Sequence, residues 1–138
     1  MKRYFYLLLA FFIVTNAQAQ DVVPKAKVYL DFVVEEKSVD PSDALDMFKK
    51  EITKLTSLEV VDNKTEAELE FKLHVLKSFG DIRKACIECY NNKSGEKFYE
   101  TKWQKSGSGF ANGMSGTRGS IVASIKKQLL KKYPNIRW

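Results

Sequence analysis

Two runs of alternating apolar and polar residues predict β-strands, one near the start of the chain and one in its middle. In the first run the apolar positions are Val28, Leu30, Phe32 and Val34. In the second run, which follows a polar turn, they are Ala67, Leu69, Phe71, Leu73 and Val75. Because successive side chains of a strand point to opposite faces, each run predicts one buried and one solvated face.

Between these runs the spacing of apolar residues changes to that of a helix. Asp40 is the predicted N-cap and Pro41 the first helical residue, positions that both residue types favour. One apolar stripe follows at intervals of three and four: Ala44, Leu45, Phe48, Ile52 and Leu55. A short strand over 58–61 completes a strand–helix–strand unit, whose length favours a parallel pair of strands.

The turn Asn92-Lys93-Ser94-Gly95 predicts a hairpin between strands at 85–91 and 97–103. In the simplest register, one face carries Ile87, Cys89, Tyr99, Thr101 and Trp103. The other, uncovered face then carries Cys86, Glu88, Tyr90 and Phe98. A slip of one residue would exchange the two sets.

The last part of the chain combines a glycine-rich segment with a helical pattern. Five of the seven glycines lie in a predicted flexible loop over 106–120. A helix over 118–132 follows, with an apolar stripe formed by Ile121, Val122, Ile125 and Leu129. Its opposite side is basic: Lys126, Lys127, Lys131 and Lys132. We interpret this basic side as a solvated face, with at most weak contact with anionic surfaces.

Together the elements predict an α+β fold, a two-layer sandwich in the order β-α-β-β-β-β-α. A mixed sheet carries two helices on one face, in a single domain over 20–138 with a folded core at 27–132. The predicted buried set is Val28, Leu30, Phe32, Leu45, Phe48, Ile52, Leu69, Phe71, Leu73, Ile87, Ile121, Ile125 and Leu129.

The N-terminus has the layout of a cleavable secretory signal peptide over residues 1–19. Lys2 and Arg3 precede an apolar run over 4–14, and Ala17 and Ala19 suit a cleavage site. The run is too short to span a bilayer, which takes about 20 residues. No cysteine follows it for lipid attachment. We therefore expect a periplasmic or secreted protein without a transmembrane segment or a lipid anchor.

Composition then excludes several classes of function. Without Lys2 and Arg3, the 23 basic residues fall to 21 against 17 acidic ones, a net charge of +4. The charges form no dense basic stripe, so we expect no nucleic-acid role. With one histidine, His74, the chain offers no multi-histidine metal site. His74 has no nucleophile motif beside it, and we expect neither catalytic activity, nor a metal, nor a cofactor.

The sequence Cys86-Ile87-Glu88-Cys89 matches a CxxC motif. Within a predicted strand, however, the two thiols point to opposite faces, and their Cα atoms are about 10 Å apart. A disulfide needs Cα atoms within about 7 Å. We interpret both cysteines as structural, and a thiol-redox role remains a third alternative.

Two sets of residues are candidates for binding a partner. The first is aromatic: Tyr90 and Phe98 on the uncovered face, and Trp138 in the tail. The second set belongs to the glycine loop, where Phe110, Met114 and Arg118 would contact a partner that orders the loop. Alternatively, Arg118 at the helix start would strengthen an anion site in the loop, although the loop lacks the spacing of a phosphate-binding motif.

The segments TEAELEFKLHV and ACIECYNNKSGEKFYETKW, with the glycine loop and closing helix after them, resemble a group of bacterial envelope domains. The group includes the N-terminal domain of the Tol–Pal translocation protein, the periplasmic part of the curli secretion lipoprotein, and lipoprotein activators of penicillin-binding proteins. The resemblance covers most of 27–132. It implies a two-layer accessory domain that binds other envelope proteins and has no catalytic activity.

The leading hypothesis is thus an exported, non-catalytic accessory domain that binds another cell-envelope protein, with a homo-oligomer as a further possibility. The alternative is a carrier of a small ligand or anion that uses the glycine loop over 106–120. The third is a thiol-redox protein acting through Cys86 and Cys89.

Overall fold

The structure, a computed structural model, describes residues 25–107 and 114–133. In chain order its elements are β1 (Ala26–Phe32), α1 (Pro41–Ile52), β2 (Leu58–Val60), β3 (Leu69–Lys77), β4 (Arg83–Asn91), β5 (Lys97–Glu100) and β6 (Gln104–Ser106). The last helix consists of three consecutive segments, called together the C-terminal helix: Met114–Ala123, the π-helical Ser124–Leu129, and Leu130–Lys132. The predicted signal peptide, Phe110 and Trp138 lie outside the described residues.

The six strands form one mixed sheet in the order β2-β1-β3-β4-β5, and β6 also pairs with β4. β1 is parallel to both β2 and β3, while β3, β4, β5 and β6 pair antiparallel. The predicted α+β fold is confirmed. The start of α1 is also as predicted, because the Asp40 carboxylate accepts hydrogen bonds from the backbone N–H groups of Ser42 and Asp43.

Both helices pack on the same face of the sheet, called the covered face. Phe48 and Ile52 of α1 and Ile125 of the C-terminal helix belong to one hydrophobic cluster with residues of β1, β3 and β4. Every residue of the predicted core is buried except Leu30, Leu45 and Leu69, which are partly buried. Apolar periodicity therefore predicted most of the core. It was wrong at Val34, which is 69% exposed, and at Glu70 and His74, which are buried although they lie on the predicted solvated face.

The predicted strand over 97–103 is wrong in one respect, because β5 already ends at Glu100. The next three residues belong to no strand, and a separate strand, β6, begins at Gln104. The Thr101 N–H donates to the Ile87 carbonyl, and the Ile87 N–H donates to Thr101 Oγ1, both at 2.9 Å. A side-chain oxygen thus replaces a backbone acceptor, and regular pairing stops. Trp103, predicted on the face of Ile87, instead contacts His74 on the opposite face.

The predicted side of Phe98 is also wrong, because a β-bulge interrupts the hairpin. Cys89 pairs with Tyr99 but Tyr90 pairs with Lys97, which leaves Phe98 as the additional residue. Its ring meets the edge of Tyr133, at the end of the C-terminal helix, with centroids 6.0 Å apart. Phe98 therefore lies on the helix side of the sheet, away from the face of Tyr90.

The glycine-rich segment is not a flexible loop over its whole predicted length, since the C-terminal helix already begins at Met114. A Cβ atom at Gly116 would lie 2.7 Å from the Asp81 carbonyl oxygen, and one at Gly119 would collide with Ser106 Oγ. These two glycines allow the helix to lie directly against β6. Their role is close packing.

Candidate functional site

The sheet face opposite the helices, called the open face, carries a histidine held between two carboxylates. His74 Nδ1 lies 2.9 Å from Glu35 Oε1, and His74 Nε2 lies 3.1 Å from Glu88 Oε2. His74 is in β3, Glu88 in the neighbouring β4, and Glu35 in the segment after β1. Only 9% of His74 is exposed. The cluster connects three parts of the chain on one face.

A neutral imidazole between two ionised carboxylates has one proton too few for both contacts to be hydrogen bonds. A neutral imidazole has one N–H, and an ionised carboxylate can only accept. For both contacts to be hydrogen bonds, either the imidazole is positively charged or one carboxyl group is protonated.

Further hydrogen bonds fix Glu88 in place. Lys97 Nζ lies 3.3 Å from Glu88 Oε1, and the Tyr90 hydroxyl donates to Oε2 at 3.2 Å. Burial alone would raise the pKa of Glu88, but hydrogen bonds from His74, Lys97 and Tyr90 outweigh it and hold this pKa below its usual value. Hydrogen bonds to Glu100 and Glu88 in turn raise the pKa of Lys97. Glu88 is therefore ionised at neutral pH.

Two aromatic rings flank the cluster, and a lysine lies over each. The Trp103 ring meets His74 edge-on at 5.9 Å, and Lys84 Nζ lies 5.3 Å from its centroid. Lys72 Nζ lies 4.8 Å from the centroid of Tyr90. Trp103 is 40% exposed. Tyrosine and tryptophan are enriched in protein-binding surfaces, whereas lysine and glutamate are depleted there.

The cluster lacks the geometry of a catalytic or metal site. Both ring nitrogens of His74 are occupied by carboxylates, whereas a general base needs a nitrogen directed at its substrate. Within residues 25–107 and 114–133, no group of three or more histidine, cysteine or acidic side chains is placed to hold a metal ion. What the cluster offers is a fixed arrangement of charges and rings.

The two cysteines lie on opposite faces of β4, as the sequence predicts. Cys89 pairs with Phe71 and lies in the core, while Cys86 pairs with His74. Both thiols are free and buried. Burial raises the pKa of each to about 12. Thiols that stay protonated at neutral pH are poor nucleophiles, so the structure gives no support to the thiol-redox alternative.

The four predicted contact residues that the structure describes do not lie on one surface. Tyr90 is on the open face, Phe98 and Arg118 are on the helix side, and Met114 begins the C-terminal helix, half exposed. Arg118 Nε lies 3.4 Å from Glu51 Oε1, so a buried carboxylate of α1 already faces the predicted anion site. Phe110 and Trp138 lie outside the described residues.

Sequence reasoning missed the cluster around His74 because its members are distant along the chain. Glu35 lies 39 residues before His74. The periodicity does place His74 and Glu88 on polar faces, and the pairing of Lys72 with Glu88 in the β3–β4 register brings them together. The β3–β4 register was therefore the signal that could have revealed the contact between His74 and Glu88. Nothing in the local sequence indicates Glu35.

No helix in the described part of the chain is long and apolar enough to cross a membrane. By sequence, neither a family model nor a curated protein matches the chain.

The fold itself has known counterparts among solved structures. A variant of PelC from Paraburkholderia phytofirmans, solved as a dodecamer, matches with a TM-score of 0.57 at 10% identity, over 75% of this chain and 89% of that one. A second PelC dodecamer from the same organism matches with a TM-score of 0.52 at 11% identity, over the same shares.

A third structure, the lipoprotein GNA1162 from Neisseria meningitidis, gives a TM-score of 0.49 at 11% identity, over 78% of this chain and 99% of that one. None of the three is among the envelope domains that the sequence resembles. At these identities, the two PelC structures show a shared fold.

Proposed function

We propose that this chain is an exported, non-catalytic domain that binds another protein of the bacterial cell envelope through the open face of its sheet. The observation that carries the proposal is the surface around His74. There, Tyr90 and Trp103 are held at the two ends of a hydrogen-bonded cluster. Rings that are already ordered lose little conformational freedom when a partner binds, and this favours affinity.

The open face suits recognition better than chemistry. The Glu88 carboxylate already has the positive charge of Lys97 beside it, and the aromatic groups of the cluster are partly accessible. A partner that covers Trp103 would bury apolar surface, and an acidic group of that partner would pair with Lys84 above the ring. The proposal includes no metal and no cofactor.

Export rests on the N-terminal pattern of charged, apolar and small residues. The bacterial envelope is the expected destination because the sequence resembles envelope accessory domains. Together they define where a partner would be met.

A matched pair of photocrosslinking positions tests the proposed surface. p-Benzoylphenylalanine replaces Tyr90 on the open face in one variant and Phe98 on the helix side in the other, and each is expressed in the source cells. We expect crosslinked adducts with an envelope protein from position 90 and none from position 98. Adducts from position 98 alone, or from neither position, would overturn the proposal.

A second copy of the chain is the other candidate partner, and a specific observation favours it: both PelC structures are dodecamers. Light scattering on the purified mature chain would then give a mass several times that of the monomer. Crosslinks from position 90 would join identical chains. A monomeric mass over the micromolar range would contradict this second candidate and leave the first to be judged by its own crosslinks.

A further inference from the structure

A shallow groove on the helix side is lined by four lysines and contains no carboxylate. Its volume is about 360 Å³. The residues that line it, called together the lysine groove, are Tyr99, Lys102, Lys127, Gln128, Lys131 and Lys132. Lys102 comes from the segment after β5, and the other lysines come from the C-terminal helix. Two separate parts of the chain thus bring cations to one concavity.

The four lysines lack the acidic neighbours that other lysines of this chain have. In the described part of the chain, Lys49, Lys64 and Lys97 each lie within 2.8 Å of a carboxylate oxygen. No ion pair of the described residues involves a lysine of the groove. Four like charges around one groove repel one another, and this costs free energy in the unliganded protein.

The helix dipole accounts for only two of the four lysines. Lys131 and Lys132 lie in the last turn, where cations offset the negative end of the helix dipole. Lys127 lies one turn earlier, and Lys102 is not in the helix. Lys127 and Lys131 nevertheless line the same groove.

The floor of the groove is comparatively rigid. The Tyr99 hydroxyl donates to the Gln128 carbonyl at 3.3 Å, and the Tyr99 ring packs edge-on against Tyr133 at 5.6 Å. Phe98, which is 44% exposed, also packs edge-on against Tyr133. The lysine stems therefore start from an ordered base, although their charged ends are free to adjust.

We propose that the lysine groove binds a soluble ligand that carries several closely spaced phosphate groups. A polyphosphate carries several negative charges in a small volume, and these match four cations better than one carboxylate does. Lysine binds phosphate as a point charge, without the fixed geometry of an arginine fork. The groove also falls in the size range of small-ligand sites. This binding is independent of the partner surface proposed above.

Calorimetric titration with tripolyphosphate tests the site, with two variants that remove the same charge. The first is Lys127→Gln with Lys131→Gln, inside the groove. The control is Lys93→Gln with Lys105→Gln, at exposed positions outside it. We expect saturable binding by the unmodified chain, binding about tenfold weaker in the groove variant, and a change below about twofold in the control.

The ionic strength and a second ligand source complete the test. Binding should weaken as salt rises from 0.05 to about 0.5 M, because the site is exposed to screening. Equal losses in both double variants would show an effect of net charge alone and would overturn the proposal. An absence of saturable binding to tripolyphosphate would also overturn the proposal. If the chain then sediments with phosphatidylglycerol vesicles, the lysines bind a membrane surface instead.

Discussion

The two faces of the sheet are built from the same strands but are stabilised in different ways. On β4, Ile87 and Cys89 point into the hydrophobic core of the covered face, while Cys86 and Glu88 belong to the open face. The covered face gains stability from buried apolar area, which depends on volume and fit. The open face buries His74 among specific hydrogen-bond partners, each worth about 1 kcal/mol. Substitutions on the two faces should therefore change the free energy of unfolding by different amounts and for different physical reasons.

The largest expected effect lies in the centre of the covered face. Phe48 is fully buried, so Phe48→Ala should lower the free energy of unfolding by about 3–5 kcal/mol, through lost burial and the cavity it leaves. Urea denaturation measures the change. Phe79→Ala is the matched control, because Phe79 is 89% exposed and its loss should be nearly neutral. Equal effects at both positions would refute the assigned core.

A smaller effect is expected where the C-terminal helix meets β6. In most helix interiors Gly→Ala stabilises by about 1 kcal/mol. Gly119→Ala should instead destabilise by about 1–3 kcal/mol, because the new methyl group collides with Ser106. Adding Ser106→Ala removes the hydroxyl that it meets and should recover much of the loss. A stabilised single variant, seen as a higher melting temperature, would show that this contact is not tight.

On the open face, His74→Ala should cost about 1–3 kcal/mol, because it removes the hydrogen-bond partner of the Glu35 and Glu88 carboxylates. Trp103 lies against His74, so its fluorescence reports on the local structure. A double-mutant cycle with Glu35→Gln should give a coupling energy clearly different from zero. Additive effects would mean that Glu35 and His74 do not interact in solution.

The open face should also be the more sensitive of the two to acid. The pKa of Glu88 is depressed in the folded protein, so its ionised form stabilises the fold above the usual glutamate pKa, near 4.3. That contribution is lost as the pH falls through the lower folded pKa. The difference in unfolding free energy between the unmodified chain and Glu88→Gln should therefore shrink from pH 6 to pH 3. A constant difference would contradict the assigned bonds of Glu88.

The smallest effects on stability belong to the rings of Tyr90, which is half-buried, and Phe98, which is exposed. Tyr90→Ala and Phe98→Ala should each change the free energy of unfolding by less than about 1 kcal/mol. Their effects on partner capture should differ, because the two residues lie on opposite faces: Tyr90→Ala weakens capture through the open face, and Phe98→Ala leaves it unchanged. Thermal melts and pull-downs with the crosslinked partner compare the two variants directly.

The prediction from sequence was accurate where a structural feature depends on neighbours along the chain. The cap at Asp40, the turn that ends with Gly95 at positive φ, and the apolar stripe of α1 follow from spacing within a few residues. It was wrong at Phe98, because a bulge adds a residue to one strand without any change in the apolar pattern. It was also wrong at Gly116 and Gly119, because a glycine needed for close packing looks the same in a sequence as one needed for flexibility.

The sequence alone thus determined the α+β class, the order of its main elements and most of its core, since the period of apolar residues is a local property that the hydrophobic effect converts into burial. Only the tertiary structure decided which polar groups meet. Glu35 reaches His74 because β1 lies beside β3, and Lys102 reaches the lysines of the C-terminal helix because the edge of the sheet runs beside that helix. Both proposed sites arise from such long-range pairings, whose partners carry no common pattern along the chain.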